Sequence, residues 1–171
     1  MIYKKPDPEI PGFMRDEELD WLFEQAQRMS TIAEIGSLKG RSVHALCSGC
    51  PGIVVAIDKF LDDPNHEIQT NVFQEFLSNT ASLNNLLVAR MDSRAAALRF
   101  SSWTFEMVFI DGDHCYPGFM EDLLGWRYKA TKLLCGHDCN NPDTPDIPRV
   151  LSDLNVKYTR PCNNLWAVEI G

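Results

Sequence analysis

The sequence predicts an α/β domain: a doubly wound sheet of seven strands, mostly parallel, with an antiparallel final strand. Three observations carry this. Short apolar runs alternate with stretches of helical periodicity along most of the chain. Several runs are apolar at successive positions, as in Ile53-Val-Val-Ala-Ile57, the pattern of a parallel strand covered on both faces. The last two runs, 157–160 and 165–170, are joined by only Pro161-Cys-Asn-Asn164. A parallel crossover needs about a dozen residues or more, so these two must pair antiparallel.

Residues 1–15 carry Pro6, Pro8, Pro11 and Gly12 and read as an extended arm over the body. Asp16–Met29 is a helix. Its acidic first turn suits the helix dipole, and Leu19, Leu22, Phe23, Ala26 and Met29 share one face. The first strand, Thr31–Ile35, runs directly into Gly36-Ser-Leu-Lys-Gly40 and a helix over 40–48. Ile53–Asp58 is the second strand, Asp62–His66 a loop, and 67–79 a helix with Ile68, Val72, Phe73 and Phe76 apolar. Leu86–Met91 is the third strand, closing on Asp92 and Ser93, and a short helix covers 94–100. The fourth strand is Phe105–Gly112, followed by a helix over 116–129; the fifth is Lys132–Asp138. A proline-rich loop (139–146) and a helix over 147–154 lead to the closing strands. No repeat or linker divides the chain, so 1–171 reads as a single domain with 1–15 as its N-terminal arm.

The charge excludes some partners. A net charge of −8 argues against nucleic acid, whose phosphates need clustered Lys and Arg. No run approaches the ~20 apolar residues that span a bilayer, and the N-terminus has no apolar signal core, so the expectation is a cytoplasmic protein off the membrane. Six cysteines include Cys47-Ser-Gly-Cys50 and the pair Cys135 and Cys139. A zinc site wants regular paired spacing with turns between. Cys47 ends an apolar helix and Cys135 lies inside an apolar strand, which favours the reading of cysteine as a small hydrophobe. Zinc or redox chemistry is the alternative, and without a secretion signal disulfides are not expected.

Polar groups gather at one edge of the predicted sheet. Each strand delivers some at its carboxyl end, where open α/β sheets bind ligands: Glu34 and Gly36, Asp58, Asp92, Asp111 to His114, and His137-Asp138. Glycine at a strand-to-helix junction takes unusual backbone angles and lets a ligand approach the free N–H groups of the helix start. Structural alternatives stand beside this. Asp58 and Asp92 can each cap the segment that follows. Glu34, one residue inside its strand, needs donors if buried.

In this order and spacing, Glu34-x-Gly36-x-x-x-Gly40-x-Ser42, Ile57-Asp58, Phe109-Ile-Asp-Gly-Asp-His114 and Gly136-His-Asp138 resemble the class I S-adenosylmethionine-dependent methyltransferases. The resemblance is to the small-molecule O-methyltransferase branch, with its Methyltransferase 24-like, cephalosporin hydroxylase-like and macrocin O-methyltransferase-like members, and runs from about Gly12 to Ala167. It implies a Rossmann-like, seven-stranded sheet with a reversed final strand. It also implies that the Gly36–Gly40 loop passes under the methionine part of S-adenosyl-L-methionine, with Glu34 near the ammonium. Asp58 matches the acid on the ribose hydroxyls, and Asp92-Ser93 the pair beside the adenine. The implied cofactor set is Glu34, Gly36, Ser37, Gly40, Ser42, Asp58, Lys59, Asp92, Ser93 and Asp111. A dehydrogenase would also place an acid after strand two, but its G-x-G-x-x-G spacing is missing from Gly36-Ser-Leu-Lys-Gly40.

The same resemblance implies one divalent metal at Asp111, His137 and Asp138. Carboxylates alone suit Mg²⁺ or Ca²⁺, whereas an imidazole favours Mn²⁺, Fe²⁺ or Zn²⁺. The alternative is that His137 bonds a backbone carbonyl and Asp138 caps a loop. His114, just past the fourth strand, is the candidate general base, with Asp111 as its catalytic partner. Imidazole titrates near neutral pH, as removal of a hydroxyl proton requires; the structural alternative for His114 is a helix cap. The expected acceptor is a small hydroxylated molecule, a sugar or natural product. Trp103, Tyr116 and Phe119 are candidate lining residues, Trp126 belongs to the core, and Phe13-Met14 and the 139–148 loop are candidate covers. With so short a chain the pocket is either shallow or completed by a second subunit of a homodimer. The runner-up function is a cofactor-binding module without catalysis.

Overall fold

The apolar runs pair as a covered sheet demands. In the computed structural model of the chain, which describes residues 3–6, 9–63 and 67–171, five strands run parallel. They are β1 (Thr31–Ile35), β2 (Ile53–Asp58), β3 (Leu86–Arg90), β4 (Phe105–Ile110) and β5 (Ala130–Gly136); β6 (Trp166–Glu169) lies antiparallel to β5. The order across the sheet is β3-β2-β1-β4-β5-β6. Chain direction of winding therefore reverses between β1 and β4, and a crevice opens there beyond the carboxyl ends.

Side chains alternate along each strand, so each strand feeds two layers. Ile32, Val54, Ala56, Met107 and Phe109 pack with α1 (Asp16–Ala26), α2 (Arg41–Gly49) and α3 (Val72–Thr80). Ile35, Val55, Ile57, Val108 and Ile110 pack with α4 (Ser93–Arg99), α5 (Tyr116–Trp126) and α6 (Asp146–Asp153). Burying one large apolar side chain contributes about 1.5–3 kcal/mol, against about 0–1 for an exposed ion pair, so these two layers hold the fold.

The sheet has six strands rather than the expected seven. The run 157–160 makes a single antiparallel bridge, Thr159 to Ala167, with both N–H···O bonds formed at 2.8 and 2.9 Å. Pairing cannot spread in either direction. Pro161 offers no N–H, and Val156 is tied back to α6 by a bond from its N–H to the Leu151 carbonyl (2.8 Å). The expected helix over 67–79 also divides. Glu67–Gln69 is a 3₁₀ turn, Asn71 sits in the left-handed region (φ 51°), and α3 starts at Val72, whose N–H donates to Asp62 Oδ1 (2.9 Å). The part of the expected 62–66 loop at 64–66 lies outside the described residues, as do residues 1, 2, 7 and 8 of the arm. Among the described residues no helix is long and apolar enough to cross a membrane.

Candidate functional site

The turn after β1 forms the floor of the crevice. Gly36 has φ +86°, and a Cβ there would stand 2.1 Å from the backbone oxygen of Asp111, so only glycine lets the ends of β1 and β4 approach this closely. Gly40, at φ +91°, caps α2 and packs against Thr80 and Phe76. Asp58, at the end of β2, organises the loop between them. Its Oδ2 accepts the N–H groups of Ser37 (2.8 Å) and Leu38 (2.9 Å), and its Oδ1 accepts that of Phe60 (2.6 Å). A carboxylate oxygen has two acceptor positions, so after these bonds Asp58 keeps one, on Oδ1, for a ligand hydroxyl.

Glu34 is placed differently from its neighbours. It lies on the face of β1 turned toward α2, is 0% exposed, and is outside the lining of the cleft. Ser37 Oγ donates to its Oε2 (2.9 Å), while Oε1 has no hydrogen-bond partner. Burial pushes its carboxyl up to about 8, opposed by the nearby Ser42 and Ser37 hydroxyls. It is therefore a buried, largely protonated brace beneath the glycine loop, with Ser37 and Ser42 as its contacts.

At the far side of β2, Asp92 caps α4 by accepting the N–H groups of Arg94 (3.0 Å) and Ala95 (3.4 Å), and Lys59 Nζ stands 3.9 Å from its Oδ2. Ser93 donates through Oγ to Asp122 of α5, a residue the sequence reading did not single out. Asp122 is 4% exposed and lines the cleft. Burial pushes its carboxyl above the usual range, against the Ser93 bond. Its sequence signal is an acid on the buried stripe Phe119, Asp122, Leu123 and Trp126 of α5.

The chemistry collects beyond β4 and β5. Asp138 takes a left-handed conformation (φ 64°) that turns its carboxylate into the cleft, where Asn141 Nδ2 donates to its Oδ1 (2.8 Å). His114 Nε2 stands 3.1 Å from Asp138 Oδ2 and 3.5 Å from Asp111 Oδ1. The Asp111 carboxylate beside it, with Asp138, holds its imidazole above the ordinary value against the effect of burial. Asp111, His114 and Asp138 form the one group among the described residues with three ligand atoms close enough for a metal ion, all within 4.8 Å of one another.

His137 has other company. Its side chain is 4% exposed, with Nε2 3.2 Å from Oε2 of the fully buried Glu18, though not aligned for a hydrogen bond. Its Nδ1 lies 3.3 Å from Asp138 Oδ2 and 3.8 Å from Asp111 Oδ1. Burial pulls the imidazole down, but Asp111, Asp138 and Glu18 together hold it at about 10. Glu18 also accepts the N–H groups of Arg15 (2.7 Å) and Asn164 (3.1 Å), so His137 ties α1 and the β6 loop to the acids.

The cleft has a volume of about 620 Å³ and joins these groups in one space, within the range of small-molecule sites. Pro11 to Met14 form one wall. Arg41, another residue missed in sequence, latches this strap: Nε donates to the Met14 carbonyl (2.9 Å) and Nη1 to that of Ile10 (2.8 Å), with ion pairs to Glu9 and Asp16. Phe13 lines the cleft, as do Asn141 and Asp143 from the loop after β5. Phe119 and Trp126 are buried in the core, and Trp103 packs on Phe100 and Phe105; none of the three lines the cleft. The cysteines are all unpaired, and Cys47, Cys50, Cys135 and Cys139 are buried, with thiols held up by burial.

The sheet order, the reversed end strand and the glycine loop give the Rossmann-like methyltransferase fold. Solved structures similar to it include O-methyltransferases and a cofactor-bound protein. One is an O-methyltransferase from Bacillus cereus in complex with SAH (TM-score 0.65, 16% identity, 95% of this chain and 84% of that one). A second is the O-methyltransferase TomG from Streptomyces achromogenes, involved in tomaymycin synthesis and in complex with SAM (TM-score 0.65, 16% identity, 96% and 83%). A third is cofactor-bound Rv0187 from MTB (TM-score 0.67, 16% identity, 95% and 83%). At this identity the likeness establishes the fold. No protein-family model matches the sequence, and no curated protein matches it significantly.

Proposed function

We propose that this chain transfers the methyl group of S-adenosylmethionine to a hydroxyl oxygen of a small molecule, a sugar or natural product. The observation that carries the reading is the union of two half-sites in one cleft. One half is the Gly36–Gly40 loop with Asp58, suited to an amino-acid nucleoside; the other is Asp111, His114 and Asp138. Solved structures of the same fold hold SAM or SAH, which supports the first half.

The reaction is a displacement at a sulfonium carbon. The acceptor oxygen attacks the methyl carbon, the C–S bond breaks with its electron pair left on sulfur, and the hydroxyl proton is lost. His114 takes that proton: its ring is 43% exposed toward the cleft, with Nε2 oriented by the two carboxylates. In a metal-bound form Asp111, Asp138 and the His114 nitrogen would hold a divalent cation, of the Mn²⁺ type rather than Mg²⁺ or Ca²⁺, and His114 would then be a ligand and not the base. Such a cation would supply a lowered hydroxyl pKa and a fixed acceptor position. His137 Nδ1 stands beside both acids and orients them.

Calorimetric titration with S-adenosylhomocysteine tests the cofactor half; absence of binding at millimolar concentration refutes the proposal. Methyl transfer to a panel of hydroxylated acceptors, with chelator and with Mg²⁺, Ca²⁺ or Mn²⁺ restored, tests the other half. His114→Ala is expected to lower turnover by about 100-fold or more while leaving the affinity for S-adenosylhomocysteine unchanged. Turnover equal to wild type in that variant would remove His114 from the reaction.

A further inference from the structure

On the reading that the cleft binds S-adenosylmethionine, we propose that Asp122, fixed by Ser93, recognises the amino group of the cofactor's adenine. An acid in the apolar stripe of a packed helix needs an explanation, because a buried carboxyl without enough donors is costly. Asp122 is 4% exposed. Ser93 Oγ donates to its Oδ1, and the backbone of Asp113 supplies a second bond. A carboxylate has about four acceptor positions, so two remain open. The packing of Asp122 is tight: its Oδ2 lies 2.9 Å from where a Cβ on Gly112 would stand, so any larger residue at 112 would displace it.

The surroundings indicate which ligand group would fill the open positions. Asp58 fixes the ribose end and Asp111 with His114 the methyl end, which leaves the space between α4 and α5 for the base. Ile57 and Met91 line that space with apolar surface, and Ser93 and Asp122 are its polar wall. Apolar lining with a carboxylate acceptor beside it suits a purine carrying an exocyclic amino donor. Ser93 is itself held, because Trp126 Nε1 donates to its carbonyl (3.2 Å). Recognition is therefore built on helices α4 and α5 rather than on a loop.

The test is calorimetric titration of wild type, Asp122→Asn and Asp122→Ala with two ligands. One is S-adenosylhomocysteine; the other is its analogue with purine in place of adenine, which lacks only the amino group. Wild type should prefer the adenine ligand about ten-fold, the loss expected when a buried acceptor goes unpaired. Asp122→Asn keeps an acceptor of the same shape and should keep the preference. Asp122→Ala should bring the ratio close to one. A purely structural Asp122 would weaken both ligands together in the Ala variant and leave the ratio intact, which overturns this proposal alone. Wild-type protein that binds neither ligand overturns the cofactor reading, and this proposal with it.

Discussion

Replacing Glu34 by Gln should stabilise the protein at neutral and alkaline pH. Glu34 is fully buried in β1, one carboxylate oxygen bonded to Ser37 and the other without a partner. Its carboxyl is raised from 4.5 to about 8 in the fold, chiefly by burial. The folded state then binds its proton more tightly than the unfolded chain. The associated stability is fully present below pH 4.5 and is lost as pH rises through about 8. At about 1.36 kcal/mol per pH unit, that interval corresponds to on the order of 4 kcal/mol. Gln cannot ionise and keeps the shape. Urea denaturation of both proteins at pH 5 and pH 8 should give stabilities within about 1 kcal/mol at the lower pH. At pH 8 the Gln variant should be ahead by on the order of 2–4 kcal/mol. Other titrating groups are common to the two proteins and cancel in the difference. Parallel pH profiles would show that Glu34 does not carry a raised pKa, and the reasoning from its burial would fail.

Two further perturbations test the site's frame. His137→Gln removes the cation facing buried Glu18, so stability at pH 7 should fall by about 3–5 kcal/mol. The imidazole is raised from 6.5 to about 10, so its contribution is complete below pH 6.5 and is lost as pH rises through about 10. Denaturant midpoints should thus converge toward alkaline pH, and a constant gap would contradict an imidazolium. Gly36→Ala places a Cβ 2.1 Å from the Asp111 backbone oxygen at a φ of +86°. It should cost at least about 2 kcal/mol and abolish binding of S-adenosylhomocysteine; wild-type melting and titration would refute the close approach of β1 to β4.

Much of the fold was readable because strand and helix periods differ and the parallel strands are apolar throughout. The missing seventh strand was not, since its failure depends on the register that leaves Thr159 alone opposite Ala167 and on Val156 being held by α6. At the site, sequence position located the strand ends but not the direction of side chains. Glu34 lies within β1 on the face it shares with Ile32, under α2, whereas Gly36, two residues on, leaves the strand at φ +86° and reaches the cleft. His137 and Asp138 are adjacent, but one turns inward to Glu18 while the left-handed backbone of Asp138 turns the other toward His114. Arg41 and Asp122 were passed over because each looks ordinary in its helix. Only the strap carbonyls and Ser93 give them a task.

The pairing of β1 with β4 sets when the site can come into being. Ile32 lies beside Met107, so the central joint of the sheet waits for a long closure of chain, with the entropy that entails. On a ribosome the glycine loop emerges well before the backbone oxygen against which Gly36 must rest. Until β4 arrives, β1 has an open edge and Glu34 has no roof on that side. The residues that would hold cofactor and acceptor thus come from chain segments that meet late. Gly36 meets its seat against Asp111 only when β4 pairs with β1.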